Sequence, residues 1–178
     1  MQERNDKEIK VGNQVAYLSL GSNLGDRAAS LLRATTAIIT GNLHMIAASS
    51  IYETDPVDYP DQPQFLNMVV AAAGESLDPF SLLGFCQEIE KRLGRDRSVP
   101  KASRTIDIDL LMFDDLIVDG RRGTVDLILP HPRMHLRRFV LRPMAEIVPN
   151  LKHPVMGKTI ANLLDSLGDQ SVVRIYRE

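Results

Sequence analysis

Alternating apolar and polar residues mark one stretch, residues 105–113, as a β-strand. Its apolar and polar positions follow the period of two that pleated backbone imposes, with Ile106, Ile108 and Leu110 set against Thr105, Asp107 and Asp109. From Leu110 to Phe113 both faces are apolar, which predicts that the strand enters the middle of a sheet covered on both sides. The alternation places Asp107 and Asp109 on one face, about 7 Å apart along the backbone.

The other periodicities predict two helices and three further strands upstream. Strand patterns cover 15–20, 44–53 and 65–73, and helical spacing covers 24–39 and 79–93. Asp78 is suited to cap the second helix, with Pro79 at its first position. The order strand, helix, strand, strand, helix, strand predicts an α+β protein with a ferredoxin-like (βαββαβ) antiparallel sheet.

The C-terminal part of the chain predicts elements added to that core. Strand patterns at 116–118 and 125–129 predict a hairpin, and 130–147 predicts a helix. A short helix at 160–167 and a short strand at 172–176 follow. In a ferredoxin-like core both helices lie on one face, so we expect the added helices to give the sheet helices on both faces. We expect one domain, 13–178, after a flexible tail, 1–12.

Composition and charge exclude several classes of protein. The 178 residues are 44% hydrophobic and 25% charged, with a formal net charge of −2. This balance argues against nucleic-acid and membrane-surface partners, and the apolar runs are too short for a membrane span. The single Cys86 rules out an internal disulfide and a cysteine-cluster metal site. A single cysteine fits a reducing environment, so we expect a cytoplasmic protein. We also expect a monomer, although nothing in the composition determines the oligomeric state.

Asp107 and Asp109 raise the question of what compensates their charge. Two carboxylates so close repel each other, and each is costly to bury without a partner. Neighbouring arginines are one candidate, and a pair of divalent cations about 3.5–4 Å apart, as in phosphoryl-transfer sites, is the other. The strand alone does not decide between them.

Cationic residues cluster on both sides of this strand. They are Arg95, Arg97, Lys101 and Arg104 before it, and His131, Arg133, Arg137 and Arg138 after it. A solvated surface is one explanation, but paired acids between arginine-rich segments are also what a metal-bound polyphosphate requires. Phe65 and Asn67 share a strand face and offer a stacking plane beside an amide, although both could equally be core residues.

Five segments, taken in order, carry a family resemblance. They are 16–25 (AYLSLGSNLG), 52–56 (YETDP), 61–67 (DQPQFLN), 104–111 (RTIDIDLL) and 130–149, which begins PHPRM. None is specific alone, but jointly they resemble the 6-hydroxymethyl-7,8-dihydropterin pyrophosphokinase family of folate synthesis. One departure is that this family often has Trp-Gly-Pro where the chain has residues 101–103, Lys-Ala-Ser.

The resemblance implies transfer of the β,γ-pyrophosphoryl group of ATP to the hydroxymethyl oxygen of the pterin, with release of AMP. It implies that Asp107 and Asp109 bind two Mg²⁺ ions and that Arg95 and Arg97 share the catalytic role with them. The implied nucleotide and phosphate contacts are Gln87, Glu90, Arg104, Ile108, His131 and Arg137. The implied pterin contacts are Thr54, Asp55, Val57, Phe65, Asn67 and Phe139, with the two phenylalanines on either side of the ring.

Two other functions are compatible with part of these features. A non-catalytic ferredoxin-like binding module would share the fold, but it gives no reason for paired acids between arginines. A phosphohydrolase could use the same two metal ions on water, and only the family resemblance argues against it.

Overall fold

A computed structural model of the protein describes residues 14–40, 43–56, 62–95 and 103–177. Its strands are β1 (Gln14–Ser22), β2 (His44–Ala48), β3 (Tyr52–Thr54), β4 (Phe65–Gly74), β5 (Asp107–Phe113), β6 (Val118–Arg122), β7 (Val125–Leu129) and β8 (Val173–Ile175). Its α-helices are α1 (Arg27–Thr40), α2 (Pro79–Arg92), α3 (Arg138–Ile147) and α4 (Ile160–Asp165). A 3₁₀ turn, Met134–Leu136, precedes α3. None of the helices in the described ranges is long and apolar enough to cross a membrane.

Six strands form one antiparallel sheet in the order β5-β1-β4-β3-β8, with β2 also paired to β4. The long, uninterrupted apolar patterns of β1 and β4 place these strands at its centre, where their side chains are buried on both faces. Among the described strands β5 pairs with β1 alone and lies at one edge, so the prediction that it enters the middle of a sheet is wrong. Its run Leu110–Phe113 is buried because the hydrophobic cores on both faces of the sheet cover it. The α+β class and the antiparallel sheet are confirmed. The predicted hairpin is also present, as the separate two-stranded sheet β6-β7.

Two hydrophobic cores lie on opposite faces of the sheet. Residues of α1 and α2, such as Leu31 and Cys86, pack with Leu18 and Leu20 of β1 on one face. Residues of α3 and α4, such as Val140, Leu141, Met144, Ile160 and Leu163, pack with Tyr17, Val69 and Leu111 on the other. Helices therefore cover both faces of the sheet, as predicted.

The predicted strand 44–53 is wrong as one element, because it is broken into β2 and β3. The break follows from Ser49, whose hydroxyl accepts a hydrogen bond from the backbone N–H of Val69 at 3.0 Å. A side chain thereby takes the place of a backbone acceptor of the ladder, and the strand bends there. Both pieces still pair with β4.

The predicted helix 130–147 is also too long. Only Arg138–Ile147 is α-helical, and the preceding residues form the shorter 3₁₀ turn. Two prolines, Pro130 and Pro132, cannot donate the backbone hydrogen bonds that a continuous helix needs. The segment instead runs along the end of the sheet, where Arg137 and Phe139 meet β1 and β5 in a common pocket.

Candidate active site

A pocket of about 440 Å³ opens on the sheet face that α3 covers. Alternate residues of β1, β4 and β5, such as Ser19, Asn67 and Asp107, line the pocket on this face, and α3 packs on another part of it. The residues that line the pocket are Ser19, Gly21, Thr54, Asp55, Pro56, Gln62, Phe65, Asn67, Arg95, Arg104, Asp107, Asp109, His131, Arg133, Leu136, Arg137 and Phe139. The pocket thus combines aromatic, acidic and cationic side chains.

A single row of the sheet joins the two ends of the pocket. Gly21 of β1 pairs with Asn67 of β4 on one side and with Asp107 of β5 on the other. Two strand spacings, about 10 Å, therefore separate the backbones of Asn67 and Asp107. Because Gly21 has no side chain, the floor between them is open to a ligand that spans both.

The first end of the pocket is aromatic and amide-bearing. The Asn67 amide nitrogen donates a 2.8 Å hydrogen bond to Oγ1 of Thr54, and both side chains are buried. This bond fixes the orientation of the amide, whose oxygen lies over Gly21. Phe65 and Phe139 line the same pocket. The predicted grouping of these four residues is therefore present in the structure.

The second end is acidic and cationic, and its two aspartates have different partners. Asp107 accepts hydrogen bonds at both carboxylate oxygens, from Nη1 of Arg95 and from Nη1 of Arg104. Within the described part of the chain, the ion-pair contact of Asp109 is longer, with Oδ2 3.8 Å from Nη1 of Arg137. Arginines thus compensate Asp107 closely and Asp109 only loosely.

The pKa values of the two carboxyls are shifted in opposite directions. Burial alone would raise the pKa of Asp107, but the positive charges of Arg95 and Arg104 outweigh it, and the pKa is lowered. Burial and the negative charge of Asp107 raise the pKa of Asp109 above its ordinary value. The folded protein therefore disfavours the ionised form of Asp109. A further cation bound nearby would favour that form.

The buried side chain of Glu90 holds Arg95 and β5 in place at the acidic and cationic end of the pocket. Glu90 is 1% exposed, and its Oε1 accepts from Nη1 of Arg95 at 2.6 Å and from the backbone N–H of Ile108 at 2.8 Å. Arg95 also donates to the carbonyl of Ile106 at 3.2 Å. Glu90 and Ile108, both predicted nucleotide contacts, thus lie beneath the pocket and connect to it through Arg95 and the β5 backbone.

His131 is a neutral hydrogen-bonding group in this pocket. Burial, together with the charges of Arg137 and Arg133, lowers its pKa to about 4. Its Nδ1 accepts a 3.2 Å hydrogen bond from the backbone N–H of Arg133, so the proton of the neutral ring is on Nε2. At neutral pH His131 can therefore donate a hydrogen bond without adding charge.

Among the described residues, three predicted nucleotide contacts do not line the pocket, namely Gln87, Glu90 and Ile108. Gln87 is exposed on α2. Arg97 and Val57 lie outside the described residues, as do Lys101 and Ala102 of the departure from the family pattern. Their roles stay predictions.

Sequence reasoning missed several residues of the site. Ser19 and Gly21 form its floor, but their place depends on strand register, which the sequence does not reveal. Asn23 is 2% exposed, and its Oδ1 accepts from the backbone N–H of Arg104 at 2.7 Å while its Nδ2 donates to Oε1 of Gln62 at 3.1 Å. Asn23 thus joins segments on the two sides of the pocket. The sequence feature that could have indicated this role is its position as a polar residue between Gly21 and Gly25.

Comparison with known proteins identifies the family. The family model for 7,8-dihydro-6-hydroxymethylpterin-pyrophosphokinase (HPPK) matches residues 17–149. The chain belongs to the HPPK family. This membership confirms the prediction of a pyrophosphokinase enzyme of folate biosynthesis.

Two bacterial HPPK relatives match almost end to end. The 2-amino-4-hydroxy-6-hydroxymethyldihydropteridine pyrophosphokinase of Bacillus subtilis is 44% identical, over 93% of this chain and 92% of its own length. The protein of the same name from Methylorubrum extorquens is 40% identical, over 90% of this chain and 98% of its own length.

The fold is shared with a solved structure of much lower sequence identity. The wild-type Plasmodium falciparum HPPK-DHPS crystal structure with pteroate superposes with a TM-score of 0.71 at 17% identity. The match covers 88% of this chain but only 45% of the Plasmodium chain. At this identity the likeness concerns the HPPK fold alone.

Proposed function

We propose that this enzyme transfers the β,γ-pyrophosphoryl group of ATP to the hydroxymethyl group of 6-hydroxymethyl-7,8-dihydropterin, which yields AMP and the pterin diphosphate. One observation carries the proposal. A single pocket holds an aromatic and amide end beside a carboxylate and arginine end, with the backbone of Gly21 between them. A flat heterocycle and a metal-bound polyphosphate could therefore meet there.

The pterin is assigned to the first end. Phe65 and Phe139 supply rings for stacking on the heterocycle, and contact of this kind with nucleobases is worth about 1–3 kcal/mol per base. Asn67 supplies an amide held in one orientation by Thr54, so that it can read the hydrogen-bonding edge of the ring. Asp55 lines the wall next to Thr54.

The donors at the second end fit two Mg²⁺ ions. Mg²⁺ prefers hard oxygen ligands, and commonly takes one or two protein carboxylates together with waters and phosphate oxygens. Asp107 and Asp109 supply such carboxylates on one strand face. The raised pKa of Asp109 means that its negative charge is unfavourable there without a further cation. A third acidic or histidine ligand is not required, and the described ranges contain no group of three.

The arginines would change partners when substrates bind. Arg95 and Arg104 each occupy an oxygen of Asp107, so at least one has to release it before that oxygen can ligate a cation. A released guanidinium group lies in the pocket, where it can pair with phosphate oxygens. Bound together with ATP, the Mg²⁺ ions would supply charge neutralisation at the transferring phosphoryl group.

No protein nucleophile is needed for this reaction. The one cysteine, Cys86, is on the buried face of α2, and burial raises the pKa of its thiol to about 12. His131 can donate a hydrogen bond to a phosphate oxygen from its protonated Nε2. The residues therefore favour direct transfer by positioning and charge stabilisation.

Product analysis tests the reaction. With Mg-ATP and the hydroxymethyl-dihydropterin present, AMP and the pterin diphosphate are expected, and AMP should be absent when the pterin is omitted. Release of ADP or free phosphate without pterin would instead indicate a hydrolase. Binding of the ligands without any turnover would indicate a binding module.

Gly21→Ala is expected to lower pterin affinity about tenfold or more. The new Cβ would lie 2.8 Å from the Asn67 side-chain oxygen, so the amide has to turn away from its bond to Thr54. A buried amide that loses a hydrogen bond costs about 1–3 kcal/mol. Calorimetric titration with the pterin, in the presence of a non-hydrolysable ATP analogue, measures the loss.

Gly84→Ala is the matched control for this prediction. A methyl group at Gly84, inside α2, meets no atom within 4 Å. Alanine also favours the helix by about 1 kcal/mol over glycine, so stability should rise slightly while pterin affinity stays the same. Unchanged pterin affinity in Gly21→Ala would contradict the role given to Asn67.

Three further expectations, on the fold, the location and the oligomeric state, accompany the proposal. The strand order supports a ferredoxin-like core, since β5, β1, β4 and the broken strand β2 and β3 follow one another across an antiparallel sheet. The single, buried Cys86 supports a cytoplasmic location. We also propose that the enzyme acts as a monomer.

A further inference from the structure

An ion-pair network lies behind the pterin end of the pocket, on the opposite face of the sheet. Its centre is Glu53 of β3, which alternates with the buried Tyr52 and Thr54 and therefore points to the side of α1. Oε1 of Glu53 is 3.1 Å from Nη2 of Arg27, at the start of α1. Oε2 accepts two hydrogen bonds from Arg174 of β8, at 2.8 Å from Nη2 and 3.2 Å from Nε. The Glu53 side chain is only 16% exposed.

The same network ties together the two ends of the proline-containing segment between β3 and β4. Arg27 donates from Nη1 to the carbonyl of Gln64 at 2.8 Å, and Arg174 reaches Oε1 of Gln64 at 3.4 Å. The Gln64 amide in turn donates to Oδ1 of Asp55 at 2.8 Å. Asp55 begins the segment and Gln64 ends it, so both of its ends are fixed to Glu53 and its arginines.

β8 also fixes the strand that carries Thr54. β3 has only three residues, and it pairs with β4 on one side and β8 on the other, with Glu53 opposite Arg174 and Thr54 opposite Val173. The backbone N–H of Tyr176 adds a 2.8 Å bond to the carbonyl of Ile51. Without β8 this short strand would be an edge strand with one partner.

We propose that β8, through the two hydrogen bonds that Arg174 donates to Glu53, is a positioning element for the pterin end of the pocket. β8 lies beyond the family match at residues 17–149. The proposal rests on the pterin role assigned above to Thr54, Asn67 and Phe65. Arg174 and Glu53 do not line the pocket, so they act on the ligand through β3 and through Asp55, which Gln64 holds.

The effect should be confined to the pterin. The groups at the phosphate end, such as Asp107, Asp109 and Arg137, belong to β5 and the start of α3 and take no part in the described contacts of Glu53. A loosened β3 therefore shifts Thr54, and with it the Asn67 amide, while the phosphate end keeps its own supports. Nucleotide affinity should stay unchanged.

The test compares Arg174→Met and Glu53→Gln with the unmodified full chain. We expect Arg174→Met to lower pterin affinity about threefold to fivefold, since Arg174 is partly exposed, and Glu53→Gln about tenfold, since Glu53 holds two arginines. Affinity for a non-hydrolysable ATP analogue with Mg²⁺ should stay within about twofold in both. In steady state, the KM for pterin should rise while kcat at saturating pterin is retained.

Arg177→Met is the matched control, because it removes an arginine from the same terminal segment at an exposed position. The pterin affinity of Arg177→Met should equal that of the unmodified chain. Arg174→Lys keeps the positive charge on a single nitrogen, so its pterin affinity should fall between those of Arg174→Met and the unmodified chain. Thermal melts establish that each variant is folded. Unchanged pterin affinity in both test variants, or an equal loss of nucleotide affinity, would overturn this inference. Failure of the unmodified chain to bind pterin would overturn the proposed function and this inference with it.

Discussion

Asp107→Asn and Asp109→Asn are each expected to remove nearly all turnover, yet only Asp107→Asn is expected to lower the free energy of unfolding. The loss of turnover follows from the proposed metal ligands, since a metal ion supplies several kcal/mol of charge stabilisation, and about 4 kcal/mol is about a thousandfold in rate. The difference in stability follows from the partners of the two aspartates in the metal-free protein.

The direction of the pKa shift of each aspartate gives the sign of the stability change expected when it is replaced. The pKa of Asp107 is lowered, so its ionised form stabilises the folded state, and this contribution is present at neutral pH and lost as the pH falls through the folded-state value. Asp107→Asn should therefore cost about 3 kcal/mol. The pKa of Asp109 is raised, so its ionised form destabilises the fold at neutral pH. Asp109→Asn should leave stability unchanged or raise it by less than about 1 kcal/mol, because solvent screens a side chain that is 40% exposed.

Urea unfolding with a chelator at neutral pH measures the stabilities, and the product assay with Mg²⁺ measures turnover. Asp119→Asn serves as the control, because it removes an exposed carboxylate on β6 away from the pocket. If Asp109→Asn destabilised the protein as much as Asp107→Asn, Asp109 would be a structural partner of Arg137. Substantial turnover in either variant would contradict the metal assignment.

The parts of this protein that follow from local patterns could be predicted from the sequence. The alternation around Asp107 and Asp109 predicted a strand with both acids on one face, and the Asp78 cap with Pro79 predicted the start of α2. These features depend on neighbours along the chain, so periodicity and capping report them directly. Separate motifs also predicted the meeting of Phe65, Asn67 and Phe139 with the aspartates, but only through the family resemblance.

The parts that depend on tertiary contacts could not be predicted in this way. The sequence left open whether arginines or metal ions compensate the acids, and the structure shows arginines on both oxygens of Asp107. Glu90 had the helical spacing of a surface residue near the α2 stripe, and only the approach of Arg95 and β5 explains its burial. The place of Gly21 opposite both Asn67 and Asp107 is likewise a matter of register.

Arg95→Met is expected to lower both stability and turnover, and a second substitution should separate the two effects. Arg95 is 13% exposed and links Glu90 to Asp107, so its removal takes one ion-pair partner from each of two carboxylates. Loss of one partner of a buried pair costs about 3–5 kcal/mol. Turnover should fall by about a hundredfold or more, because the guanidinium group is no longer available to the phosphates.

In the double variant Arg95→Met with Glu90→Gln, stability should recover in part while turnover stays low. Glutamine carries no charge at this buried position and can still accept the hydrogen bond of the Ile108 N–H, which Glu90 accepts at 2.8 Å. Arg92→Met is the matched control on the same helix, since its pair with Glu88 is exposed and should be worth less than about 0.5 kcal/mol. A double variant no more stable than Arg95→Met would contradict the ion-pair explanation. Turnover restored along with stability would instead make Arg95 a structural residue only, because its guanidinium group would then be dispensable for the transfer.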